Sequence, residues 1–125
     1  MSAPIGAYRP IVRAGDWLAV SGQLGLSEGR LVDGGVQLQL RQALLNLATL
    51  LDTEGATLSD VVKTTVFLRH IDDYAAVNDT YLEAFSGHHL PARAAVAVAG
   101  LPLGALVEID AWAHQPHSTR PGPTR

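Results

Sequence analysis

The chain has 125 residues and a mass of 13.2 kDa, the size of one ordinary domain with a core of its own. With 47% hydrophobic residues, no cysteine and a net charge of −3, its composition excludes wholesale disorder, disulfides, thiol nucleophiles and zinc–cysteine or iron–sulfur sites. The nine cations, eight arginines and Lys63, form no basic cluster, and no apolar run approaches the ~20 residues of a membrane span, so neither nucleic acid nor a membrane is an expected partner.

Met1 to Tyr8 lacks the basic and apolar blocks of a signal peptide, and the expected location is cytoplasmic. Two strands come first, Tyr8 to Arg13 and Trp17 to Gln23, around a turn at Ala14-Gly15-Asp16. Pro10 cannot donate to a ladder, so the first strand belongs at an edge. A Gly-rich loop through Gly25, Gly29, Gly34 and Gly35 leads to a helix over Val36 to Glu54. There Val36, Leu40, Leu44, Leu47 and Leu51 recur at helical spacing, widened by Ala43 and Leu50, and Gly55 stops the helix. Asp60 to Leu68 is rich in β-branched residues and reads as a strand. Asp72 or Asp73 can cap a second helix, which carries Tyr74, Val77, Tyr81 and Phe85 on adjoining stripes and ends near Gly87.

Two strands close the domain, Ala94 to Ala99 and Ala105 to His114, read as a hairpin around Gly100 to Gly104. The order β-β-α-β-α-β-β predicts an α+β domain over residues 1–114, a mixed sheet with two helices on one face. Gln115 to Arg125 holds three of the seven prolines and no large apolar residue, and reads as a disordered tail. On the last strand Val107, Ile109, Ala111 and Ala113 point one way, and Leu106, Glu108, Asp110, Trp112 and His114 the other. The second set is half apolar and half charged. It suits a face covered by another subunit, with polar groups at a rim or in a shared cleft.

Between Ala84 and Val107 the only Asp, Glu, Lys or Arg is Arg93. A guanidinium entering an apolar strand needs an anion. That anion is either a protein carboxylate (Glu108, Asp110 or one on the first helix) or the carboxylate of a ligand, which arginine's fork can grip with two bonds. Glu108, between apolar neighbours, is either an acid–base group with a raised pKa or a charge that protects an edge strand. Ser21 sits beside Gly22, where a ligand can approach the backbone, or is simply a small satisfied residue. No Gly-x-Ser-x-Gly elbow surrounds it. Tyr8 is a cleft residue or a packed ring with its hydroxyl in water, and Asn78, within the apolar side of the second helix, makes a tertiary hydrogen bond or is exposed. The five histidines have no metal-ligand spacing, and no phosphate or dinucleotide loop occurs.

Several segments carry a resemblance: Ile5-Gly6-Ala7-Tyr8, Val20-Ser21-Gly22-Gln23, Arg41 to Leu47, Asp60 to Leu68 and Ala76-Val77-Asn78. The most specific are Pro91-Ala92-Arg93-Ala94-Ala95-Val96 and Leu101 to Ile109, where arginine, turn and glutamate come in order. Together, from Pro4 to about Ala113, they resemble the RidA/YjgF/UK114 family of reactive-intermediate deaminases. Two departures are Arg9-Pro10 after Tyr8, and Ala95 where many relatives carry cysteine.

The resemblance implies a chorismate-mutase-like fold assembled into a homotrimeric barrel with clefts between subunits. It implies hydrolysis of 2-imino acids or their enamine tautomers, such as 2-iminopropionate and 2-iminobutyrate, to 2-oxo acids and ammonia without a cofactor or metal. Arg93 and Glu108 are the implied catalytic residues, and Tyr8, Ser21, Asn78 and Arg93 the implied substrate-binding ones. Two rival functions are a non-catalytic sensor of small carboxylates, which would use Arg93 but not Glu108, and a ribonuclease or translation inhibitor, which the acidic balance disfavours.

Overall fold

The computed structural model describes residues 6–116. The elements are β1 (Ile11–Ala14), β2 (Trp17–Leu24), β3 (Leu26–Ser27), β4 (Arg30–Leu31), α1 (Val36–Asp52), β5 (Val61–Leu68), α2 (Tyr74–Ala84), β6 (Ala92–Ala97) and β7 (Val107–His114). Five strands form one sheet in the order β1-β2-β7-β5-β6. β6 runs parallel to β5 and all other neighbours are antiparallel.

The α1 stripe predicted from spacing is the core: Leu40, Ala43, Leu44, Leu47, Leu50 and Leu51 are all buried. They pack on Leu18 and Val20 of β2, Val66 and Leu68 of β5 and Val107, Ile109, Ala111 and Ala113 of β7. The helix ends as expected, at Gly55 with φ +76°, where Ala56 N donates to Leu51 O and Gly55 N to Asp52 O, the paired bonds of a Schellman stop.

Polar side chains of α1 complete the backbone where strands become irregular. Asn46 Nδ2 donates to the carbonyls of Leu24 and Leu26 at 3.2 and 3.0 Å, and Gln39 Oε1 accepts from Leu106 N at 2.9 Å. Buried main-chain groups left unpaired there would each cost about 1–3 kcal/mol.

Three expectations need correction. The last two strands are not a hairpin. β7 lies between β2 and β5, while β6 takes the edge beyond β5. The physical reason is apolar area: Val107 and Ile109 can fill the core under α1, whereas alanine-rich β6 cannot. The connection from β6 to β7 passes over the end of β5, where Leu68 O accepts from Val98 N and Arg69 N donates to Leu106 O.

The Gly-rich loop holds a small ribbon, β3–β4, whose turn residues Glu28 and Gly29 both have positive φ. The first strand starts at Ile11 rather than Tyr8. Pro10 adds only its carbonyl, which accepts from Ser21 N at 2.9 Å. At the other terminus Gln115 is still held: its carbonyl and Oε1 accept from Arg13, itself paired with Glu54 at 3.0 Å. Residues 1–5 and 117–125, including most of the predicted tail, lie outside the described residues.

Candidate functional site

The alternation read on β7 sorts the polar candidates onto two faces. Val107, Ile109, Ala111 and Ala113 are buried beneath the helices, so Glu108, Asp110, Trp112 and His114 project from the opposite, helix-free face. Phe67 and Thr65 of β5 stand beside Glu108 and Asp110 on that face. On the other side of β7 the register of β2 slips by one residue between Val20 and Gln23, a β-bulge at Ser21-Gly22. The bulge turns Gly22 toward Glu108: a Cβ at Gly22 would overlap the Glu108 carboxylate. Glycine is therefore what lets the carboxylate lie across β2. Ser21 O and Oγ both accept from Gln23 Nε2, at 3.1 and 3.4 Å.

Partial burial raises the Glu108 pKa above the ordinary glutamate value, and the nearby Asp110 charge adds to it. Asp110 is raised too, first by burial, with hydrogen bonding to Thr65 and the charge of Lys63 pulling the other way. A carboxyl with a raised pKa can hold and release a proton closer to neutrality.

Arg93 lies on the other face. In the β5–β6 ladder it is opposite Thr64, which is buried on the helix side. Its guanidinium carbon is 4.8 Å from the Tyr81 ring centroid and 5.5 Å from that of Tyr74, both within cation–π range. Nη2 donates to Tyr74 Oη at 3.2 Å. Tyr81 Oη and Thr64 Oγ1 share a buried hydrogen bond of 2.7 Å. Burial raises the Tyr81 pKa, with the Thr64 bond and the Arg93 charge opposing.

Among the described residues no carboxylate lies within salt-bridge distance of Arg93; the ion pairs there include Arg13–Glu54 and Arg41–Glu83. The internal salt bridge to Glu108, Asp110 or α1, one of the two alternatives left open by the sequence, is absent in the single chain. Asn78 shares a helical stripe with Tyr74 and Tyr81 by its i+4 and i−3 spacing. Its Oδ1 is buried with no hydrogen-bond partner among the described residues, so of the two alternatives left open for it neither a bond to that oxygen nor full exposure is seen there.

The structure thus places Gly22, the bulge neighbour of Ser21, against Glu108, and Arg93 and Asn78 in another region at α2. It does not bring the two groups together within one chain. Tyr8 lies in the segment before β1, 45% exposed, rather than on a strand. Reading the sequence missed Tyr74, Tyr81 and Thr64 around Arg93, because tyrosines at helical spacing read as core. Among the described residues no cluster of three or more His, Cys, Asp or Glu is placed to hold a metal ion, and no helix is long and apolar enough to cross a membrane.

Residues 1–115 match a family model described as Endoribonuclease L-PSP. The chain is 47% identical over 122 residues to the 2-iminobutanoate/2-iminopropanoate deaminase of Rattus norvegicus, covering 96% of this chain and 88% of the rat protein. The crystal structure of the YjgF gene product from E. coli superposes with a TM-score of 0.86 at 37% identity, covering 90% of this chain and 91% of that one. E. coli TdcF, in a structure with bound serine, gives 0.85 at 33% identity, again covering 90% and 91%.

Proposed function

The chain belongs to the endoribonuclease L-PSP family, the RidA/YjgF group that its motifs resemble, and on that premise we propose that it is an enzyme that hydrolyses reactive 2-imino acids, such as 2-iminobutanoate and 2-iminopropanoate, to 2-oxo acids and ammonia. The observation that carries this reading is the guanidinium of Arg93, held by tyrosines with no carboxylate within salt-bridge distance among the described residues. A small imino acid offers one carboxylate. Two charge-assisted bonds from the fork to it contribute about 2–4 kcal/mol and fix the C=N group in place. The serine bound to E. coli TdcF, a small molecule with the same handle, supports this ligand class.

The reaction asks little more of the protein. Water adds to the imine carbon while the nitrogen takes up a proton, giving a carbinolamine. Its C–N bond then breaks as a second proton reaches nitrogen and the hydroxyl proton leaves, releasing ammonia and the 2-oxo acid. Glu108 is suited to orient that water and carry those protons. In this reading Ser21, Tyr8 and Asn78 line the cleft, and Asn78 Oδ1, which has no hydrogen-bond partner among the described residues, can accept from the substrate nitrogen. No metal or cofactor takes part in this scheme.

Arg93 and Glu108 stand on opposite faces of one sheet, so a site using both needs two copies of the chain. We assign it to clefts between the subunits of a homotrimer, in the cytoplasm. The half-polar face of β7, with Trp112 50% exposed, is the surface such an assembly would cover. The acidic balance and lone lysine favour small acids over nucleic acid as ligands.

The test couples a threonine dehydratase to this protein and traps surviving imine with semicarbazide. Added protein is expected to lower the trapped yield, and Arg93→Ala to weaken that effect roughly 30- to 900-fold, the equivalent of those two bonds. A trapped yield unchanged by the wild-type chain contradicts the reading.

A further inference from the structure

The two tyrosines around Arg93 carry an inference that rests on the proposed carboxylate-gripping role of this arginine. They hold it differently. Tyr81 is buried, its hydroxyl fastened to Thr64, the cross-strand neighbour of Arg93, so its ring is a fixed floor beneath the guanidinium. Tyr74, the first residue of α2, is 42% exposed. A ring so open to water adds little to the core, and its distinguishing contact is polar: its hydroxyl accepts from Arg93 Nη2 at 3.2 Å.

Ring stacking alone leaves a guanidinium free to turn in its own plane. A hydrogen bond to one Nη removes that freedom and leaves the other donors of the fork for a ligand. An arginine fork meets a carboxylate bidentately only in a defined orientation, and fixing it beforehand spares the ordering cost on binding.

We propose that Tyr74 is a positioning residue for substrate: its hydroxyl sets the in-plane orientation of the Arg93 fork, and so the affinity for a small 2-imino or 2-oxo carboxylate, without touching the reacting C=N bond. Phenylalanine keeps the ring and removes only that bond. The assembled protein is titrated with 2-oxobutanoate, the stable product-like acid, as wild type, Tyr74→Phe, Arg93→Lys, Arg93→Lys/Tyr74→Phe and Arg93→Ala.

Tyr74→Phe is expected to weaken binding about 3- to 10-fold, the range of one hydrogen bond, with the thermal midpoint unchanged. In the Arg93→Lys chain, whose ammonium has no plane to orient, the same change is expected to move affinity by less than about twofold. Wild-type affinity in Tyr74→Phe, or an equal loss in the Arg93→Lys chain, overturns the proposal. If Arg93→Ala binds as well as wild type, the underlying role of Arg93 fails as well. If Arg93→Ala loses binding while Tyr74→Phe keeps it, only the role of Tyr74 fails.

Discussion

Arg93 and Glu108 are both charged residues on apolar strands, and the protein accommodates them by different means. The guanidinium is held by aromatic faces and a hydroxyl, none of which carries a compensating charge. The carboxyl is partly desolvated beside a second carboxyl, which raises its pKa. This has a consequence for stability. A carboxyl with a raised folded pKa holds its proton more tightly folded than unfolded. Its stabilising effect is complete below the unfolded value, near 4.5, and is lost as pH rises through the higher folded value. Glu108→Gln is therefore expected to cut imine hydrolysis roughly 100-fold at pH 7 while leaving the thermal midpoint there equal to or above wild type. Midpoints measured from pH 4 to 7 should fall less steeply in the variant. A clear loss of midpoint at pH 7 would contradict the desolvation. Gly22→Ala tests the same carboxyl from β2. Gly22 has no positive φ, so the backbone accepts alanine, but the new methyl displaces Glu108. Activity is expected to fall toward that of Glu108→Gln with the far-UV spectrum intact, and full activity would show that the carboxyl need not lie there.

Among the elements, β5 and α2 are joined by the buried Thr64–Tyr81 hydrogen bond. Thr64→Val leaves the Tyr81 hydroxyl buried without a partner and is expected to cost about 1–3 kcal/mol in urea unfolding. Adding Tyr81→Phe should cost less than the sum of the single changes, because no orphan group then remains; strict additivity would mean the bond contributes nothing. The elements themselves were largely legible in the sequence. The leucine spacing of α1, the Gly55 stop and the two-faced alternation of β7 are local patterns, and each appears in the fold where the spacing puts it. The pairing of β6 was not legible. Two strands joined by a glycine-bounded turn look like a hairpin, and only competition for the place under α1, which Val107 and Ile109 win over alanines, sends β7 between β2 and β5. The candidate site was legible in part for the same reason. The isolation of Arg93 among uncharged residues is a linear feature, whereas Tyr74 and Tyr81 reach it only through the β5–α2–β6 crossover.

For the whole molecule, the opposite-face arrangement of Arg93 and Glu108 is the feature with the largest consequence. Within one chain the sheet separates them, and on the proposed function a second copy is needed to bring both to one small substrate. A trimer with one cleft per interface can do so, if Arg93 comes from one subunit and Glu108 from the next. The most direct measurement mixes two inactive chains. Arg93→Ala and Glu108→Gln, co-refolded at equal amounts, should give particles of about three times the 13.2 kDa chain mass. Three quarters of randomly assembled trimers then contain both chains, each with one intact cleft in three, so activity should return to about a quarter of wild type. Mixed trimers as inactive as either parent would contradict a site shared between subunits.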